Sequence, residues 1–142
     1  MQLRHARAVL SAVEDQAREL SVRVCAAVLD AGGNPVATIR MDGAQLGAYQ
    51  LSLDKAWTAV AFESPTEEWA SVTAPGAPAW GFGTSLAGRV IVFGGGVPLV
   101  EADRLVGGVG VSGSSAEIDA RCARAGAAAL PTPGHRTDRQ AD

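Results

Sequence analysis

A few residues in this chain have the type and spacing to do chemistry. Arg40 and Asp42 bracket Met41 just before Gly43. Beside a pocket, such a guanidinium and carboxylate could bind a substrate carboxylate and serve as acid or base. As an exposed ion pair they would contribute little. Lys55 lies in LSLDKAWTAV, with Thr58 three positions on and therefore on the same helical face. A lysine on a helix is ordinarily solvated, and a base role would require desolvation to lower its pKa. Glu63, Thr66 and Trp69 flank the turn that follows. Trp69, Trp80 and Phe82 could wall a pocket for a planar ligand, or could simply be core or a subunit contact. Ser112 precedes Gly113 at a strand-to-helix turn, where free N–H groups can hold an anion or polarise a carbonyl. With no histidine nearby it is a poor nucleophile.

The glycines need a separate account. Gly108-Val109-Gly110-Val111-Ser112-Gly113 spells G-x-G-x-x-G, the letters of a dinucleotide fingerprint. That motif works only inside a βαβ unit, with an acid about 20 residues further on to hold the ribose. The helix that follows leads only into a Pro- and Gly-bearing tail, so no second parallel strand is available. Dinucleotide binding is therefore not expected. The glycines instead leave strand faces bare, so that a helix, another backbone or a flat ligand can approach closely. Gly95 and Gly96, within Gly94–Gly96, mark a bulge or wide turn that could lie against a ligand.

The elements that must position these residues follow from periodicity. Residues 4–20 place Ala6, Val9, Leu10, Val13, Ala17 and Leu20 at helical spacing. VRVCAAVLD and PVATIRMD, joined by AGGN, read as a hairpin. A second helix runs from about Ala48 to Phe62. Ser64-Pro65-Thr66-Glu67 reads as a capping box opening a short helix over 65–72, which leaves Glu63 and Glu68 free. Residues 73–85 form a loop rich in proline and glycine. RVIVF (89–93), VPLV (97–100) and LVGGVGVS (105–112) read as strands, and Ser114–Glu117 as a second capping box before a final helix reaching about Leu130. The predicted fold class is α/β of the α+β type, in the order α-β-β-α-α-β-β-β-α. Its five strands form a mostly antiparallel sheet with helices packed on it. Residues 1–130 form one domain, and 131–142 are expected to be a disordered tail.

At 142 residues, 47% hydrophobic and 19% charged, the chain has the makeup of a globule able to bury its own core. A formal charge of −3 gives no footprint for nucleic acid, and no apolar run spans a membrane. The charged N-terminus lacks a secretory leader's apolar region, so a cytoplasmic location is expected. Cys25 and Cys122 read as buried, reduced thiols. Two histidines, one near each end, make no zinc-type cluster, so no metal is expected.

VLDAGGNPVATIRMDGA, DKAWTAVAF, SPTEEW, GGGVPLVEADRLVGGVGVSG and AEID stand in the order and spacing of the GlcG/HbpS-like proteins, a group that includes the C-terminal module of PduO-type proteins. The resemblance covers about residues 3–130. It implies an α/β fold on an antiparallel sheet of about five strands, with assembly into dimers and octamers. It also implies haem as a possible ligand in some branches, and small-molecule enzymes in others. It places Lys55 at the family's KA-TA lysine, adding an anion-binding or general-base role, and Arg40 and Asp42 within its RMDGA segment. Haem iron takes an axial His, Met, Cys or Tyr. The chain offers His5, His135, Met1, Met41, Cys25, Cys122 and Tyr49, none of them marked by sequence as dedicated to iron.

Two readings stand. One is an oligomeric binding module for haem or another flat small ligand. The other is a cofactor-independent isomerase, hydratase or cyclase using Lys55, Asp42 or Glu63. In either, Arg40, Thr58, Thr66, Trp69, Trp80, Phe82, Gly95, Gly96 and Ser112 are the candidate ligand contacts.

Overall fold

A computed structural model describes residues 1–132. The central strand β1 (Cys25–Asp30) is buried along almost its whole length. It pairs with β2 (Pro35–Arg40) on one side and, on the other, with β4 (Arg104–Ser112), which pairs in turn with β3 (Gly96–Glu101). All three pairings are antiparallel, giving the order β2-β1-β4-β3. The β3–β4 turn is two residues long. Ala102 and Asp103 both take positive φ, 47° and 60°, the twist that a two-residue hairpin favours.

Helix α1 (Leu3–Glu19) and helix α5 (Ala116–Ala128) pack together on one face of the sheet, and α2 (Leu46–Phe62) packs on the other. The strand alternation explains the division. Ala26 and Val28 of β1, with Val109 and Val111 of β4, join Val9, Leu10 and Val13 of α1 and Cys122 and Ala123 of α5. Ala27 and Leu29 point the other way, toward Ala56, Leu53 and Trp57 of α2. On that second face β4 carries Gly108 and Gly110. A Cβ on Gly108 would lie 2.8 Å from the Ala56 carbonyl, and one on Gly110 would overlap the Ser52 carbonyl. The helix therefore lies directly on bare backbone, and those fingerprint-like glycines serve the contact between α2 and the sheet.

The sheet has four strands, where the sequence predicts five. Residues 89–93 are buried at Val90 and Ile91 but join no ladder. The Ile91 N–H instead donates to Thr58 Oγ1 at 3.1 Å, so a side chain of α2 supplies the partner a neighbouring strand would have offered. A short apolar run records burial and does not distinguish a strand from a covered loop.

Both capping boxes also resolve differently. Thr66–Glu68 forms a 3₁₀ turn before the short helix α3 (Trp69–Val72), Ser64 Oγ makes no hydrogen bond, and Glu67 reaches Arg124 on α5 at 2.7 Å. At α5 the cap is Ser115, whose Oγ accepts from the Ile118 N–H at 3.2 Å. The proline-rich segment ends in a 3₁₀ turn (Phe82–Thr84) and a single turn, α4 (Ser85–Gly88), in which Leu86 and Ala87 take left-handed φ of 52° and 58°. Among the described residues no helix is long and apolar enough to cross a membrane. The predicted tail lies outside the described residues beyond position 132.

Candidate functional site

Lys55 sits midway along α2 and is 1% exposed. Its ammonium donates to Asp119 Oδ2 at 3.0 Å and to the Val111 carbonyl at 2.9 Å. The other carboxylate oxygen, Oδ1, accepts from the Ser114 N–H at 2.9 Å. The strand-to-helix turn after Ser112 does hold an anion, and that anion is the chain's own Asp119. Burial pulls the Lys55 pKa below its usual 10.5, and the Asp119 charge and hydrogen bond work against that shift. The Phe93 ring lies 5.1 Å from the ammonium.

The glycine loop closes over this centre. Gly95 has φ of 130°, and a Cβ there would stand 2.7 Å from Lys55 Nζ. Gly96 donates its N–H to the buried Thr66 Oγ1 at 2.9 Å. Thr58, also buried, bonds the Asp54 carbonyl as well as receiving Ile91. Lys55, Thr58, Thr66, Gly95, Gly96 and Ser112 are thus all buried where α2 meets the ends of β3 and β4.

Asp42 and Glu63 do not join Lys55. Asp42 precedes α2, and Glu63 is the residue that ends it, exposed and in left-handed conformation at φ 52°. Eight residues of helix put Glu63 about 12 Å along the axis from Lys55.

The aromatic residues form a second cluster. Phe62 contacts Trp69 and Phe82 with ring centroids 5.6 and 5.1 Å apart, and Trp69 and Phe82 are 4.8 Å apart. Trp57 touches Phe62 edge-on at 6.5 Å and carries the Arg89 guanidinium 4.1 Å above its ring. Trp80 is 69% exposed and stands outside this stack.

Arg40 and Asp42 open onto a third place, a cleft of about 730 Å³ between the end of β2 and the start of α2. Gly43, Ala44, Leu46, Tyr49 and Gln50 complete its lining. Leu46, Tyr49 and Gln50 share one helical face by their i, i+3, i+4 spacing. Leu46 is 92% exposed and Tyr49 41%. By sequence Tyr49 is one of several possible iron donors on an ordinary amphipathic helix, and nothing in the local pattern ties it or Leu46 to Arg40. Asp119 reads there as a carboxylate favoured by the helix dipole, and nothing local reveals a lysine 64 positions earlier in the chain.

A family model described as "Haem degrading protein HbpS-like" matches residues 1–128. This chain belongs to the HbpS-like family. The corrinoid adenosyltransferase PduO of Salmonella typhimurium is 39% identical over 125 residues, which is 88% of this chain but 37% of that protein. The chain thus spans little more than a third of the length of that relative. Among solved structures, the Klebsiella pneumoniae protein ORFY is 35% identical with a TM-score of 0.89, covering 92% of this chain and 90% of its own. The complex of PduOC with haem is 37% identical with a TM-score of 0.87, covering 92% and 94%. The HbpS-like fold is accordingly built here as an α+β arrangement on an antiparallel four-stranded sheet, one strand short of the expected count.

Proposed function

We propose that this HbpS-like chain is a binding protein for haem or a similarly flat, carboxylate-bearing small ligand. The observation that carries the reading is the likeness to PduOC, at 37% identity over nearly the whole of both chains, a protein whose solved complex contains haem. The cleft beside Arg40 suits such a ligand. Its volume of about 730 Å³ falls in the ordinary range for ligand pockets, it joins apolar Leu46 and Ala44 to a guanidinium, and it opens to solvent. Haem presents the matching chemistry: an apolar macrocycle and ionised carboxylates at one edge. Self-association goes with this reading, since Trp80, Leu86 and Val100 leave apolar surface exposed. Light scattering on the purified chain tests it.

The deciding experiment is a titration of the purified chain with haemin. A saturable shift of the Soret band at micromolar protein is the expected result, and its absence defeats the haem reading.

One observation favours a cofactor-independent enzyme as a second reading: Lys55 is buried with a lowered pKa, as a catalytic amine must be. Its ammonium is, however, engaged by Asp119 and Val111, and the Arg40 cleft is not lined by it. Activity on a small carbonyl or carboxylate substrate that survives Arg40→Gln and disappears in Lys55→Arg would favour the enzyme.

A further inference from the structure

We infer that a second cleft, beside Arg89, binds an α-amino acid with an apolar side chain. Arg89 takes the carboxylate, Asp54 the ammonium, and Leu29, Leu53 and Leu86 the side chain. The site is independent of the haem reading, since this cleft and the Arg40 cleft have only Gln50 in common.

The cleft encloses about 490 Å³ between the middle of α2, the start of β2 and the turn at 86–88. Its charged pair is left incomplete, unlike the buried pair of Lys55 and Asp119. The Arg89 guanidinium lies 4.1 Å from the centre of the Trp57 ring, and its Nε is 3.7 Å from Asp54 Oδ1, beyond hydrogen-bond range. Contact with the ring therefore holds a group rich in N–H donors in place while its donors stay open. Asp54 is also half used. Its Oδ1 accepts from Gln50 Nε2 at 3.1 Å, and its Oδ2 accepts no hydrogen bond among the described residues. The Arg89 side chain is 45% exposed and that of Asp54 16%, so both are reachable from the cleft.

The ligand class follows from this pairing. A simple anion is drawn to Arg89 but repelled by Asp54, and a simple amine meets the reverse. A carboxylate and an ammonium on neighbouring atoms satisfy both charges at once, and that is the head group of an α-amino acid. Leu29 and Leu53 give the cleft an apolar wall, and Leu86, which also lines it, is 59% exposed. The turn that carries Leu86 is strained. Leu86, Ala87 and Gly88 take consecutive left-handed φ of 52°, 58° and 78°, uncommon for the first two because they carry a Cβ. The Arg89 N–H donates to the Leu86 carbonyl at 3.2 Å, so the turn closes directly onto the residue that bears the guanidinium. One strained turn thus places both the apolar contact and the cation.

The experiment titrates the full chain with L-leucine by calorimetry. Saturable binding with a Kd on the order of 1 mM or below is expected for a small ligand in an open cleft. 4-Methylpentanoate, which lacks the ammonium, and isopentylamine, which lacks the carboxylate, should each bind at least about tenfold more weakly. Arg89→Gln and Asp54→Asn should weaken L-leucine by a similar factor. Arg104→Gln, at an exposed arginine of the β3–β4 hairpin, should leave its binding unchanged. Circular dichroism melts check that each variant is folded, and the ligand series on wild type decides the matter if one is not. No saturable binding of L-leucine by wild type up to roughly 10 mM overturns the site. Equal binding of L-leucine and 4-methylpentanoate, or L-leucine binding untouched by Asp54→Asn, overturns the amino-acid assignment. The haemin titration bears on neither outcome, so the two readings fail separately.

Discussion

The centre around Lys55 and the cleft around Arg40 hold the same kinds of group under opposite conditions. In the first, an ammonium and a carboxylate are both about 1% exposed, and backbone partners take up further bonds on each. In the second, a guanidinium, a carboxylate and a phenol stand exposed around an open volume. A charge that is buried must find its partners within the chain, because leaving it unpaired costs several kcal/mol. A charge at an open cleft keeps its bonding capacity for a visitor. The difference separates groups that hold the architecture from groups free to bind, although both were equally eligible by residue type.

The largest effects should come from breaking the buried pair. Lys55→Met leaves the Asp119 carboxylate buried with the Ser114 N–H as its remaining bond, and should cost about 3–5 kcal/mol in urea unfolding. Adding Asp119→Leu should recover most of that loss. A single variant that costs under about 1 kcal/mol would show that the pair is not what joins α2 to α5. Gly95→Ala should follow at about 1–3 kcal/mol, because its φ of 130° is closed to alanine and the new methyl meets Lys55. Thr58→Val keeps the shape but strands the buried Ile91 N–H, an expected loss of about 1–3 kcal/mol by the same measurement.

The cleft should answer differently. Arg40→Gln should move stability by no more than about 0.5 kcal/mol, so any change in ligand titration reports binding and not folding. A larger loss would place Arg40 with the architecture and blur the contrast. The subtlest effect is on pH. The folded chain holds the Lys55 proton less tightly than the unfolded chain does, so the unfolded state binds more protons between the lowered pKa and 10.5. The Lys55 contribution to stability should therefore rise with pH through that window and fade below it. Comparing urea midpoints of wild type and Lys55→Met from neutral to alkaline pH should show the gap move in wild type's favour.

Much of the fold was legible because its periodicities are strong. Helix α1 came within a residue at each end, and the first hairpin was placed with its turn at Gly32-Gly33-Asn34. The extra strand at 89–93 arose because valine and isoleucine are common to strands and to buried loops alike. The site was less legible. Arg40 and Asp42 are close in sequence and line one cleft, so their neighbourhood could be read locally. Lys55 and Asp119 are 64 positions apart, and a carboxylate in the first turn of a helix already has a sufficient local explanation.

The sequence by itself determined helices α1, α2 and α5 and the two hairpins, since each follows from spacing within a short window. It also settled that α2 would carry both a lysine and an apolar face. Tertiary structure alone decided which charged groups are sealed and which are open. Burial depends on what other elements cover, and α2 happens to lie against bare glycines at Lys55 and to line an open cleft at Leu46 and Tyr49. The same helix thus supplies a locked ion pair at its middle and an accessible phenol near its start.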